Sequence, residues 1–305
     1  MQSAEHTAKL YQCISLAAFG FMAWTVGDAA VRFLNFYSIY VVAFISTLTT
    51  VIILTVLSPR LGGFSKTFKM PKLKLRIGRG VIISIAGFLA YPTFQHLEMT
   101  KAYAIIFLAP ILSKIFSVVF NSEKISLTSW IISILGFIGV LIVLRPGAIP
   151  LDIGSISALG LAIFFALGYV MGRTIGPENQ TFLSLAFFQY FIIASLTAYP
   201  AISEMSQEGF HMPLIDLTLI VVIGITAVAG GLCVSYGFAN APSAKIAPLH
   251  YTQILWGTLW GAVMFDEYPD MLTLVGAAVI IVSGLAIIWK TDESNRKKWG
   301  RQPTP

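Results

Sequence analysis

Charge is scarce in this chain. Lys, Arg, Asp and Glu make up 11% of the 305 residues, less than half of the roughly 25% usual in a soluble domain, so a water-facing surface of ordinary extent is excluded. Cysteine is scarcer still. Cys13 and Cys233 are the only two and both fall in apolar runs, so packing rather than a disulfide framework is their expected role. The four histidines, His6, His96, His211 and His250, have no metal-ligand spacing. No HExxH, GxSxG or GxxxxGK[ST] pattern occurs, which removes the usual signatures of metalloproteases, α/β-hydrolases and phosphate-loop ATPases. The start has Glu5, His6 and Lys9 before a long apolar run and no small-residue cleavage site after a short one, so the first run is expected to be retained as a span.

What is present is apolar, 56% of the chain, and it is arranged in runs. Ten of them lie near 10–31, 33–57, 80–97, 102–120, 125–144, 153–172, 181–200, 214–240, 246–265 and 271–289, each close to the ~20 residues a helix needs to cross a bilayer. The runs do not alternate apolar with polar residues, as β-barrel strands do. An all-α integral membrane fold with ten transmembrane helices is therefore expected. Basic residues orient it, because they collect on the cytoplasmic side. Arg60, Lys66, Lys69, Lys72, Lys74, Arg76 and Arg79 fill the loop between the second and third runs. Lys9, Lys124, Arg173, Lys245 and the tail residues Lys290, Arg296, Lys297, Lys298 and Arg301 fall on the same side. Opposite loops carry only Arg32, Lys101 and Arg145, alongside Glu98, Asp152, Glu204, Glu208, Asp216, Asp266, Glu267 and Asp270. The net charge of +6 thus reads as topology, with both termini cytoplasmic in an inner (plasma) membrane. These basic residues abut spans and lack a clustered aromatic reading surface, so no nucleic acid is expected as a partner.

The runs also look duplicated about the turn from Arg145-Pro146-Gly147 to Pro150. An offset of 144 residues lays Gly87, Phe94, Lys101, Val119, Glu123 and Leu141 on Gly231, Phe238, Lys245, Val263, Glu267 and Leu285. Five spans per half is an odd number, so the second half enters the membrane upside down relative to the first. The expected division is 1–147 and 148–290 as two inverted five-helix repeats around a central cavity, with 291–305 a polar tail. Inverted repeats belong to carriers that open a site at the repeat interface to each side in turn.

At this level the sequence resembles the drug/metabolite transporter superfamily and, within it, the EamA-type carriers. The resemblance covers nearly the whole chain. It rests on Ala102 to Leu144, with Pro110 in mid-span, the Asn121-Ser122-Glu123-Lys124 turn and the Gly136/Gly139 helix, and on Phe265-Asp266-Glu267 leading to Gly276 and Gly284. It implies a central cavity lined by both halves for amino acids, nucleotide-like metabolites, vitamins or drugs. Many relatives carry an Arg in the second span, where this chain has Phe44-Ile45, with Gln189-Tyr190 in the repeat counterpart.

Polar groups inside apolar runs mark the candidate site, because a charge in hydrocarbon is costly unless it faces water or a partner. Lys114, four residues after Pro110, is a candidate cationic centre for a carboxylate or phosphate, against an ion-paired or snorkelling reading. Asp28 is a candidate for a substrate amine or a proton, against an i,i+4 pair with Arg32. His250, Gln253, Trp256 and Trp260 share a helical face able to exchange a proton or stack on an organic ring; core packing is the alternative. Tyr91, Gln95 and His96 match Ser235, Ala239 and Asn240 in the second half, with Pro92 a candidate helix opening. Tyr236, Tyr169, Gln189 and Tyr190 add hydrogen-bonding groups that interhelical contacts explain equally well. The expectation is a secondary transporter, not an enzyme, that needs no cofactor or metal. Its cargo would be a small organic metabolite, amino-acid-like, zwitterionic or anionic, with a nucleoside-like metabolite or cationic drug as the alternative. Membrane lipid, and protons or an exchanged solute, are its expected partners. An integral-membrane enzyme using Asp28, Lys114 and His250 is the reading from a different class.

Overall fold

The computed structural model describes residues 2–122, 126–144, 152–176, 179, 181–241 and 246–299. Glu123, Lys124, Arg145, Pro146, Gly147, Pro150, Lys245 and Arg301, and with them the expected junction between halves, lie outside these residues. Every described element is helical: α1 (Gln2–Phe33), α2 (Ile39–Leu57), α3 (Gly63–Lys69), α4 (Leu73–His96), α5 (Met99–Ile106), α6 (Ala109–Asn121), α7 (Leu127–Leu144), α8 (Ile153–Ile175), α9 (Phe182–Met205), α10 (Leu214–Asn240), α11 (Thr252–Phe265) and α12 (Met271–Trp299). A 3-10 turn, Ala247–Tyr251, precedes α11.

Caps fix several starts. The Asp152 carboxylate accepts from Ser155 N at 2.8 Å and is held below the usual carboxylate range by that backbone N–H. Thr181 and Ser184 form a reciprocal capping box on α9, and Asp270 accepts from Thr273 N on α12. Among the described residues, six helical stretches are long and apolar enough to cross a bilayer, at Ala8–Phe33, Ile39–Leu61, Met99–Phe120, Ile153–Gly172, Phe182–Met205 and Leu214–Asn240. The expected count of ten is larger. Trp130–Val143 and Met271–Ser283 are shorter apolar stretches, α11 has 14 residues, and α4 carries Lys74, Arg76 and Arg79 in its first two turns. Apolar side chains face outward along the helices, with Leu196 74% and Val282 65% exposed, the pattern of a surface that meets lipid rather than water.

Three expectations differ in detail. The fourth run is not one helix: α5 ends at Ile106 and α6 begins at Ala109, with Pro110 in its first turn, where a missing N–H costs nothing. The ninth run is likewise divided, the 3-10 turn giving way to α11 after Tyr251. Pro92 does not open α4, which continues to His96.

The packing scarcely changes when the two halves of the sequence are exchanged. Helix α1 lies along α10 as α4 lies along α8; α4 meets α9 as α2 meets α10; α1 meets α11 as α6 meets α8. The pairs α2–α9 and α7–α12 map onto themselves. With the 144-residue offset, the end of the α5–α6 break at Phe107 falls on Tyr251, and the two rings stack with centroids 5.1 Å apart. Glycine lets two of these pairs close to backbone contact. A Cβ on Gly139 would stand 2.9 Å from Gly276 O, and one on Gly276 would stand 2.8 Å from Gly139 O; Gly20 and Gly230 have the same reciprocal relation at 2.8 Å.

Because backbone cannot yield as a side-chain tip can, Gly276→Ala is expected to lower thermal stability in detergent by the equivalent of about 1–3 kcal/mol. At Gly78 the nearest atom to a new Cβ is Met171 Cε at 3.7 Å, so Gly78→Ala should be neutral or raise stability by up to ~1 kcal/mol of helix propensity. Equal effects at the two positions would remove the close-approach argument.

Candidate functional site

The middle of the bundle is organised around one aromatic side chain on the short helix α5. Tyr103 is 2% exposed; its ring packs on Phe94 of α4 at 5.3 Å and over Gly257 of α11, where a Cβ would fall 2.3 Å from Tyr103 Cε2. Its hydroxyl donates to Asp28 Oδ2 on α1. One residue therefore joins α1, α4, α5 and α11. Beside it the Tyr91 hydroxyl and Ser46 Oγ lie 2.8 Å apart, and Tyr190 stands near both Tyr91 and Asp28. On α1 the residues one and two turns before Asp28 are Trp24 and Phe21, on the same helical face. Thr25 accepts from Trp260 Nε1 at 3.0 Å.

Arg32, one turn past Asp28, does not form the intrahelical pair with it. Its Nη2 and Nε reach Glu267 Oε1 at 2.7 and 3.1 Å, and its Nη1 donates to the carbonyl of Gln95 at 2.9 Å. The other carboxylate oxygen of Glu267 accepts from Met99 N at 3.0 Å, where the negative charge also meets the positive end of α5. One ion pair thereby ties the ends of α1, α4 and α11 to the start of α5. A cavity of about 600 Å³, lined by Arg32, Glu98, Phe265, Glu267 and Tyr268 among others, opens at this end. The ion pair forms part of its wall and Asp28 does not.

The expected site residues separate into groups. Asp28, Tyr91 and Tyr190 come together. Gln95 does not join them as a free group: it is 4% exposed and its amide donates to the carbonyls of Leu34 and Tyr37. Gln253 is 6% exposed and lies beside His250. His250 stacks on Phe21 at 5.2 Å and meets the edge of Phe107 at 5.3 Å, so it sits at the junction of the two broken runs. Trp256 stacks on Trp260 at 6.5 Å. Lys114 donates to Ser133 of α7, within its own half. Tyr169 is 51% exposed and packs edge-on to Phe165 at 4.8 Å, while Gln189 lies against Gly87 of α4 and Tyr236 is 39% exposed. Sequence reasoning missed Tyr103, Ser46, Phe21, Trp24 and Phe107. Tyr103 alone left a local trace, as the one hydroxyl between Ala102 and Leu108.

The model of the EamA-like transporter family matches residues 11–145 and again 152–289. The chain belongs to this family. The EamA-like chain is thus a multi-pass membrane transporter of the drug/metabolite transporter superfamily. It is 27% identical over 252 residues to an uncharacterized transporter of Helicobacter pylori, covering 80% of this chain and 83% of that one. It is 26% identical over 200 residues to an S-adenosylmethionine uptake transporter of Rickettsia bellii, covering 66% and 67%. With the pseudopaline exporter CntI of Pseudomonas aeruginosa it shares 23% identity over 221 residues, covering 72% and 75%. A solved crystal structure superposes with a TM-score of 0.63 at 15% identity, over 90% of this chain and 96% of the other, a likeness of fold.

In this EamA-like transporter, Arg32→Ala and Glu267→Ala are each expected to lower thermal stability, and the double variant to lower it by less than the sum. The coupling should be on the order of 1–3 kcal/mol, as for contacting charges in one network. Additive losses measured by thermal unfolding in detergent would show that the ion pair contributes nothing to the closed end.

Proposed function

We propose that this transporter is a secondary carrier that moves a small organic metabolite by alternating access. The reading has ten spans arranged as two inverted five-helix halves, 1–147 and 148–290, followed by the polar tail 291–305. Both termini are placed on the cytoplasmic side of an inner membrane. The observation that carries it is the meeting of two interrupted runs at the stacked rings of Phe107 and Tyr251. Interrupted helices at a repeat interface are where carriers hold their solute.

A second observation supports alternation. Near-symmetric packing is broken at the two ends: α5 packs against α11 and α1 against α4, whereas their exchange counterparts, the 3-10 turn with α6 and α8 with α10, form no comparable packing among the described residues. The end with the added packing is the one closed by Arg32 and Glu267. A conformation tighter at one end is what half of an alternating-access cycle requires. Relatives named for S-adenosylmethionine uptake and for pseudopaline export support small organic metabolites as cargo in either direction. Amino-acid-like, zwitterionic or anionic solutes, whose carboxylate Lys114 would meet, are the first reading; a nucleoside-like or cationic solute is the alternative, favoured by Trp256, Trp260 and Asp28.

Two measurements test the reading. Purified chain in liposomes, given a mixed metabolite pool and followed by mass spectrometry, should move a subset of compounds unchanged and saturably; chemical conversion of any of them would replace the carrier with an enzyme. For orientation, Cys13 and Cys233 are replaced and single cysteines introduced by Glu208→Cys and Lys66→Cys. An impermeant maleimide applied to intact cells should label the first and spare the second. The reverse pattern would invert the topology.

A further inference from the structure

We propose that the Asp28 carboxylate seats a positively charged group of the transported solute, an organic cation such as an alkylammonium, enclosed by aromatic rings. This deepens the carrier reading and rests on it. Asp28 lies in the middle of the bundle yet is partly exposed. Only its Oδ2 is engaged, by the Tyr103 hydroxyl. Among the described residues, Oδ1 accepts no protein hydrogen bond. A carboxylate at that depth is costly unless it faces water or meets a counter-charge, and one phenol supplies a dipole but no charge.

The nearby cations are committed elsewhere. Arg32 is bound to Glu267 and to the Gln95 carbonyl, and Lys101 to Glu98. Among the described residues the ion pairs are Arg32–Glu267 and Lys101–Glu98, so no Lys, Arg or His nitrogen lies within 4.0 Å of the Asp28 carboxylate. The surroundings suit a cation rather than a metal ion. Phe21 and Trp24 lie on the same face of α1 as Asp28, their rings edge to face at 5.6 Å and the Trp24 indole donating to the Ala227 carbonyl; the Tyr103 hydroxyl sits on the carboxylate, with Tyr91 and Tyr190 nearby. Ring faces attract organic cations, the more so when water is excluded, while a divalent metal would demand several oxygen ligands. A negatively charged group placed here would meet the bare Oδ1. The solute's positive charge therefore belongs at Asp28, and any carboxylate it carries points away.

The test titrates the wild type, Asp28→Asn and Asp28→Glu in lipid nanodiscs with phenyltrimethylammonium, benzyl alcohol and benzoate, reading tryptophan fluorescence, with size-exclusion profiles confirming that each variant is folded. Phenyltrimethylammonium should bind at least about tenfold more tightly than the neutral or anionic probe, Asp28→Asn should lose at least about tenfold, and Asp28→Glu should retain most of the affinity. Equal affinity for the three probes, a preference for benzoate, no binding of phenyltrimethylammonium, or undiminished binding in Asp28→Asn would each overturn the assignment. An anionic metabolite crossing the liposomes while phenyltrimethylammonium fails to bind would discard the charge assignment and leave the carrier standing.

Discussion

A helix surrounded by hydrocarbon must satisfy every backbone N–H and C=O within the protein, and this chain interrupts that rule twice, after Ile106 and after Tyr251. The interruptions are tolerated because they are buried against each other. Phe107 is 4% exposed and touches both Tyr251 and His250, while turn hydrogen bonds from Phe107 N to Tyr103 O and from Leu108 N to Ile105 O carry the backbone through the break. Much else follows from this constraint. Dividing the fourth run leaves α5 as a short separate helix whose Tyr103 reaches Asp28, while its N-terminus, set by the turn after α4, receives the Glu267 carboxylate. Dividing the ninth places His250 and Tyr251 at the crossing and brings Gly257 beneath the Tyr103 ring.

The all-helical class and the location of nearly every element were legible in the sequence, because apolar runs of span length have few alternatives. The breaks were not, since hydropathy is continuous across Ile105 to Ile111 and Pro110 reads equally well as a kink or as the first turn of a new helix. Nor was the extension of α4 back to Leu73 through basic sequence. Arg76 is 2% exposed there and donates to the carbonyls of Thr67 and Met70, while Arg79 reaches Gly168. Basic residues here fasten the loop by donating to its carbonyls, a role charge counting does not reveal.

For the site, residue types were legible and partners were not. Asp28 and Arg32 have ideal i,i+4 spacing, yet Arg32 sits in the last turn of α1, where a long side chain reaches across to Glu267 more readily than back along its own helix. The deciding pairs, Arg32 with Glu267 and Tyr103 with Asp28, are 235 and 75 residues apart. No local spacing encodes them. Burial then separates groups that spacing had pooled: Gln95 and Tyr91 share a helix face and both looked like cavity polar groups, but Gln95 spends its amide on two loop carbonyls and becomes a structural tie.

The two kinds of contact between halves differ in what it takes to separate them. Helices α7 and α12 meet through glycine backbones, with Gly136 against Ser283 one turn from Gly139; such a seam has no polar link to replace and loses dispersion contact outright if opened. The end held by Arg32 and Glu267 is different. Their side chains are 20% and 12% exposed, so water reaches the pair and can take over its hydrogen bonds when the end parts, a replacement the glycine seam lacks. A bundle that is to rock would hinge along the glycine seam and part at the ionic end. The Asp28–Tyr103 bond lies one turn along α1 from Arg32, so movement of α1 away from α5 at that end would also release the hydroxyl and change what the carboxylate can hold.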